Sequence, residues 1–276
     1  MEYNKHKLTL CTFNCRSVKS STDEIRNHCQ IGDIIFLQGH WLLTHELNIL
    51  SEINAEFLAA GQSSVDSSVG LLVGRPYGGT GIMYKKSLAP HMSIIPTTES
   101  RLTAVTMMTD YGPVLFICVY MPTDYGDYGC YENYVELCCK ITAIYNSNEA
   151  VHLVIGGEFT RFYKLFAYCA RENNLKMTDI SRPGNTFTYY NSDGSICTWI
   201  DHVLSSPEID ELVDSCYVQY DSISSDHKPV ITVFKNLYPK CSQLVDEPPA
   251  VRRDVSDWSR VDSYCIAMYQ LDLSMS

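Results

Sequence analysis

Ser225-Asp226-His227-Lys228-Pro229-Val230-Ile231-Thr232-Val233-Phe234 sets an acid and an imidazole directly ahead of a β-branched, apolar run. Proline has no amide proton to give a sheet and is tolerated at the first position of a strand. Residues 229–234 therefore read as a strand whose entry presents Asp226 and His227. Upstream, Ile200-Asp201-His202 lies in the run 195–204, which follows residues 186–190 across the turn Asn191-Ser192-Asp193-Gly194. Asp-Gly supplies the positive φ that such turns require, so these two runs read as a hairpin.

Working outward, residues 8–14, 33–38, 81–85, 102–108, 114–120, 152–155 and 213–220 are short, β-branched or aromatic, and bordered by turn formers. They read as strands of a mixed sheet. Val135, Cys138, Ile141 and Tyr145 recur at spacings of three and four and predict a helix over 131–145, with a weaker one over 22–29. Interleaved strands and helices favour helices packed outside a sheet or sheet pair, an α/β or α+β architecture. Two prolines and a charge cluster in 246–253 mark a boundary. Beyond it Trp258, Val261, Cys265, Met268 and Leu271 form one amphipathic stripe. The expected organisation is a domain over 1–240 and a linker with a C-terminal amphipathic helix over 241–276.

The chain has 276 residues, 45% of them hydrophobic, which is enough for one large core. Its formal charge of −11 argues against nonspecific coating of nucleic acid, which depends on Lys and Arg displacing counterions. Any nucleic-acid contact is expected to be local. The apolar run 8–13 is too short for a membrane span or a signal-peptide core, so no membrane association and an intracellular protein are expected. Twelve cysteines without zinc-knuckle spacing, several inside apolar runs, read as reduced and buried thiols.

Polar residues able to meet a metal ion or a phosphate fall at the C-terminal ends of the hydrophobic strands: Asn14, Tyr120, Glu158, Asp201, Asp226 and His227. Singly, Asn14 also reads as a turn cap, Tyr120 as packing and Glu158 as a solvated charge. Together, strand ends can converge on one cleft. Lys85, Lys86, Arg101, Arg161, Lys164 and Lys228 read mostly as scattered solvated surface, with Lys228, beside His227, the best candidate for a phosphate contact.

Five motifs occur in a fixed order: Thr12-Phe13-Asn14-Cys15-Arg16-Ser17, Val119-Tyr120-Met121-Pro122, Gly156-Gly157-Glu158-Phe159, Ile200-Asp201-His202 and Ser225-Asp226-His227-Lys228-Pro229. This order resembles the endonuclease/exonuclease/phosphatase superfamily. Gly78-Gly79-Thr80-Gly81-Ile82 and residues 119–126 look most like the endonuclease domain of non-LTR retrotransposons. The resemblance covers roughly 8–234. It implies a four-layer αββα sandwich, two mixed sheets face to face with helices outside. It also implies Mg²⁺- or Mn²⁺-dependent hydrolysis of a DNA phosphodiester by in-line attack of water, and by analogy a nuclear location.

By the same resemblance, His227 contacts the scissile phosphate and is oriented by Asp201, Asp226 supports the metal, Asn14 assists the metal–phosphate geometry and Tyr120 donates to a phosphate oxygen. Arg16 and Lys228 are the implied substrate contacts. Three positions depart from the pattern. Gly39 stands where a metal-binding glutamate is expected, and neighbouring His40 should project to the opposite face of an extended strand. Gly157-Glu158-Phe159-Thr160 replaces Gly-Asp-Phe-Asn, giving Glu158 a longer arm to the metal and Thr160 a hydroxyl for an amide. The segment 161–175 looks shorter than in the retrotransposon branch. These departures predict strongly reduced or absent catalysis. The alternatives are a non-catalytic scaffold for nucleic acid or protein, and an element remnant whose tail resembles the start of a connector.

Overall fold

The structure, a computed structural model, describes residues 7–65, 74–122, 128–150, 152–159, 170–171, 173–182 and 187–239. The chain runs β1 (Lys7–Asn14), α1 (Val18–Ile31), β2 (Ile34–Gln38), α2 (Ile49–Glu52), β3 (Phe57–Gln62), β4 (Thr80–Lys85) and β5 (Met92–Ile95). It continues through β6 (Leu102–Thr109), β7 (Gly112–Tyr120), α3 (Tyr128–Ser147), β8 (His152–Glu158), β9 (Lys176–Met177), β10 (Tyr189–Tyr190) and β11 (Cys197–Thr198). β12 (Asp201–Ser205), α4 (Pro207–Asp210), β13 (Val213–Val218) and β14 (Val230–Lys235) complete it.

Two mixed six-stranded sheets result, ordered β13-β14-β1-β2-β4-β3 and β5-β6-β7-β8-β12-β9. Alternation along each strand sends successive side chains to opposite faces, and both faces of the central strands are covered. Leu8, Leu10, Ile34 and Phe36 meet Val105, Phe116, Cys118 and Val154 between the sheets, where Phe36 and Phe116 make an edge contact at 6.5 Å. The alternate residues Cys11, Phe13, Ile35 and Leu37 pack outward with Val18, Ile25 and Cys29 of α1. Leu115, Ile117, Leu153 and Ile155 do the same with Tyr134, Cys138 and Ile141 of α3. The four layers αββα follow from this double burial.

Each sheet holds one parallel pair, β1 with β2 and β7 with β8, reached by the crossover helices α1 and α3. Parallel pairing aligns the carboxyl ends of the strands, where open α/β sheets place their sites. Asn14 is opposite Gln38, and Tyr120 is opposite Glu158.

The predicted run 195–204 is not one strand. Cys197–Thr198 closes a small two-stranded ribbon with Tyr189–Tyr190, whereas Asp201–Ser205 joins the second sheet antiparallel to β8. The break at Trp199-Ile200 lets Asp201 enter β12 opposite Glu158. Asp201 therefore opens a strand rather than closing one, and Asp226 and His227 likewise precede β14. Both antiparallel strands start at the end where β1 and β8 finish. The predicted amphipathic tail, Thr160 and most of 161–175 lie outside the described residues.

Gly156 and Gly157 lie where the second sheet packs most closely. A Cβ on Gly156 would come 2.9 Å from the Phe36 ring, and one on Gly157 1.8 Å from the backbone oxygen of Val119. A ring can shift, but a paired strand cannot do so without losing its ladder. Gly156→Ala is expected to cost about 1–3 kcal/mol, in the range of core overpacking, and Gly157→Ala distinctly more. Urea unfolding midpoints of the two variants should fall in that order.

Candidate functional site

Four strand ends and one loop meet at the carboxyl edge of the two parallel pairs. Asn14, Glu158, Asp201 and His227 are all at least nine-tenths buried there. His227 Nδ1 lies 2.8 Å from Asp201 Oδ2, and a carboxylate at that distance fixes the ring tautomer and orientation. Asp201 is itself anchored through its amide, which donates to Thr188 Oγ1 at 3.0 Å. Its Oδ1 has no hydrogen-bond partner among the described residues. The Tyr189 ring meets the imidazole edge-on at 5.1 Å, with Tyr189 bridged to His227 in an isolated β-pair. Ser225 ties the loop to β1, its Oγ donating to the Asn14 carbonyl at 2.8 Å and accepting from the His227 amide at 3.1 Å.

Asn14 joins the two sheets. Its Nδ2 donates to Glu158 Oε2 at 2.5 Å and lies 3.4 Å from His227 Nε2, while its Oδ1 accepts from the Arg16 amide at 3.2 Å. Glu158 Oε2 is 3.9 Å from His227 Nε2. The longer glutamate arm thus reaches across to Asn14 and to the face of the imidazole away from Asp201.

These contacts set the protonation of the pair. Burial pushes the Glu158 carboxyl up, Asp201 and Asp226 add to this, and His227 and Asn14 oppose it, leaving it at about 7. Burial alone would lower the His227 ring. The Asp201 carboxylate outweighs it, with Glu158 and Asp226 adding, and holds the ring at about 9.

Asp226 stands apart from this buried group. Its Oδ2 pairs with Arg16 Nη1 at 2.6 Å, and the Arg16 side chain is 47% exposed against 19% for Asp226. Lys228 donates its ammonium to the Ser222 carbonyl within the same loop. Tyr120 lies 5.7 Å under the Arg101 guanidinium, which also donates to the Tyr120 carbonyl at 3.2 Å. His40 is buried, with Nε2 3.0 Å from the Gln62 carbonyl and Nδ1 accepting from the Leu42 amide. Burial lowers its pKa to about 4.

Glu158, Asp201 and His227 each offer a ligand atom within 4.8 Å of the others, so this buried group could hold a metal ion. A trio containing imidazole suits transition ions better than Mg²⁺, which prefers six oxygens in a near-octahedral array. The described residues of the site do not fit Mg²⁺. Gly39 offers no ligand, and a Cβ there would sit 2.8 Å from Asn14 Oδ1 on a backbone at φ +62°. Asp226 already carries a guanidinium.

Arg16, Asp201 and His227 were legible from motif order. Thr188 and Tyr189 were not, because they reach the site through a ribbon whose path local patterning does not reveal, and neither was the bond by which Ser225 ties its motif to Asn14. The buried cysteines form no disulfide among the described residues, and burial holds Cys15 and Cys118 up at about 12, consistent with unreactive thiols. No described helix is long and apolar enough to cross a membrane.

No protein-family model matches the chain, and no curated protein matches it either. Solved structures do. A 3′-phosphatase from Neisseria bound to a product DNA hairpin is 15% identical, with 83% of this chain and 99% of that one covered at a TM-score of 0.63. An AP endonuclease from Leishmania major is 12% identical, with 83% and 88% covered and a TM-score of 0.66. The endonuclease domain of TRAS1, a telomere-specific non-LTR retrotransposon, is 14% identical, with 83% and 99% covered and a TM-score of 0.61. At these identities the likeness is one of fold, and the chain has the endonuclease/exonuclease/phosphatase fold.

Proposed function

We propose that this domain is a retrotransposon-type endonuclease scaffold that binds DNA phosphates locally and has lost most or all of its hydrolytic turnover. The observation that carries this reading is the position of Asn14. Its carboxamide occupies the space a Gly39 side chain would need and is held there by Glu158. The two departures are thus linked. The longer arm at 158 engages Asn14, and Asn14 in turn closes the room at 39.

The remaining residues keep a consistent chemistry. Asp201 holds His227 as an oriented hydrogen-bond donor, suited to a phosphate oxygen, and Arg16 stands at the mouth. Neither replaces the metal ligand missing at Gly39 or the positioning of water from which Glu158 and Thr160 depart. Losing one electrostatic partner costs about a hundred to a thousandfold in rate, and displacing a group by about an ångström about a hundredfold. Groups acting as a unit combine less than fully, yet even partial combination leaves little turnover. An intact Asp201–His227 pair favours the second reading, a weak but genuine nuclease.

Plasmid nicking with Mg²⁺ or Mn²⁺ separates the two. The native chain is expected to nick no more than about tenfold faster than His227→Ala. Gly39→Glu alone should stay silent, because Asn14 blocks it. Gly39→Glu with Glu158→Asp and Thr160→Asn should recover nicking. Metal-dependent nicking by the native chain that His227→Ala and Asp226→Ala abolish would contradict the proposal.

The pKa shifts give a pH dependence of stability. His227 is raised from 6.5, so its contribution is fully present below pH 6.5 and lost as pH rises through about 9. Glu158 is raised from 4.5, so its contribution is lost between 4.5 and about 7. Both make the native chain weaken on going from pH 5 to 9. Urea midpoints across that range should show the decline, and Glu158→Gln should flatten its lower limb. In Asp201→Asn, ring-nitrogen NMR should find His227 titrating well below its native value.

A further inference from the structure

Three carboxylates, Glu158 and Asp201 in the buried group and Asp226 beside it, are set against two basic groups, His227 and Arg16. A glutamate at position 39 would make the acids four and leave a deficit of two positive charges, the charge of one divalent ion. Gly39 removes one negative charge and leaves every acid with a partner. Asp201 bonds His227 at 2.8 Å, Asp226 bonds Arg16 at 2.6 Å, and Glu158 takes the Asn14 amide. Buried charges persist when paired in this way.

The order of exposure matters as much as the count. Side-chain exposure is 2% at Asp201, 6% at His227, 9% at Glu158, 19% at Asp226 and 47% at Arg16. Arg16 is the most exposed of these side chains, so it is the one most available to a group arriving from solvent. Arg16 sits at φ +45° and Ser17 at φ +112°, an uncommon path for residues other than glycine. The Arg16 amide lies 3.7 Å from the position of a Cβ on Gly39, so the backbone that carries Arg16 passes beside the missing side chain, while its guanidinium is placed by Asp226. The ion pair uses one guanidinium nitrogen of a five-donor fork that matches two phosphate oxygens.

We infer that Arg16 is a built-in cation that takes over the divalent ion's charge-neutralising role in this cleft, so that a DNA phosphodiester binds between Arg16 and His227 without metal. This inference rests on the nucleic-acid reading above and adds to it the part Arg16 plays in place of a metal ion. It predicts binding only and adds no catalytic step.

Two measurements on the full chain test it and keep the two readings separate. The first is fluorescence anisotropy of a labelled DNA duplex at fixed ionic strength, in EDTA and in Mg²⁺. Affinity in EDTA is expected within about twofold of that in Mg²⁺. Arg16→Ala should weaken it at least about tenfold, Arg16→Lys less, and Lys228→Ala, whose ammonium is committed to Ser222, less than Arg16→Ala. The second is NMR of the Arg16 and His227 side chains on addition of inorganic phosphate in EDTA, where both signals should shift in the native chain and neither in Arg16→Ala. Circular dichroism melting confirms that the variants fold. A tenfold loss of DNA affinity in EDTA that Mg²⁺ restores, or an Arg16→Ala variant that binds normally, would overturn the inference. Absent DNA binding with intact phosphate shifts would support the Arg16 site and overturn the DNA reading. Absent phosphate shifts without metal would overturn the site itself.

Discussion

Glu158 reaches from the second sheet to the Asn14 carboxamide of the first at 2.5 Å, and the rest of the site is arranged around that contact. Asn14 can donate this bond because β1 and β8 both end at the same edge of the sandwich, each as one strand of a parallel pair. Once made, the bond places a carboxylate beside Nε2 of His227 and a carboxamide oxygen where a side chain at 39 would begin. A one-methylene extension of an acid is a small change in sequence. In a buried site it redirects a charge, and the neighbouring groups must rearrange to pair it.

The resulting electrostatics are those of a closed network. His227 lies between Asp201 on one side and Glu158 on the other; burial and acid neighbours push Glu158 toward protonation, whereas at His227 the acid neighbours outweigh burial. Asp226 is drawn outward to Arg16. A metal-dependent site leaves unmatched negative charge for the ion to neutralise. Here a guanidinium and an imidazole do most of that work from within, at the cost of the ligands that would order an attacking water.

Much of this was written in the sequence, and the reasons differ by level. Residues 8–14, 114–120 and 229–234 read correctly as strands because double burial makes them continuous apolar runs. Phe57–Gln62 escaped detection because Ala59, Ala60 and Gly61 lack the β-branched signature, and pairing with β4 overrides local preference. Residues 195–204 read as one strand because periodicity cannot reveal that a chain changes partners at Trp199-Ile200. In the site, motif order brought Asn14, Glu158, Asp201 and His227 to one edge. It could not show the Arg16–Asp226 pair, whose members are 210 residues apart, or that Lys228 turns back to its own loop. Contacts of that kind exist only after the sheets have packed.

The described residues of the cleft answer Asp201 with His227, Asp226 with Arg16 and Glu158 with the Asn14 amide, and leave no ligand array for a resident hard divalent ion. Mn²⁺, which shares the oxygen preference of Mg²⁺ and reports its binding directly by electron paramagnetic resonance, tests this on the full chain near neutral pH. No saturable site is expected below about millimolar Mn²⁺ in the native chain, and one should appear when Gly39→Glu is combined with Glu158→Asp. Stoichiometric micromolar binding by the native chain, lost in Glu158→Gln, would contradict it.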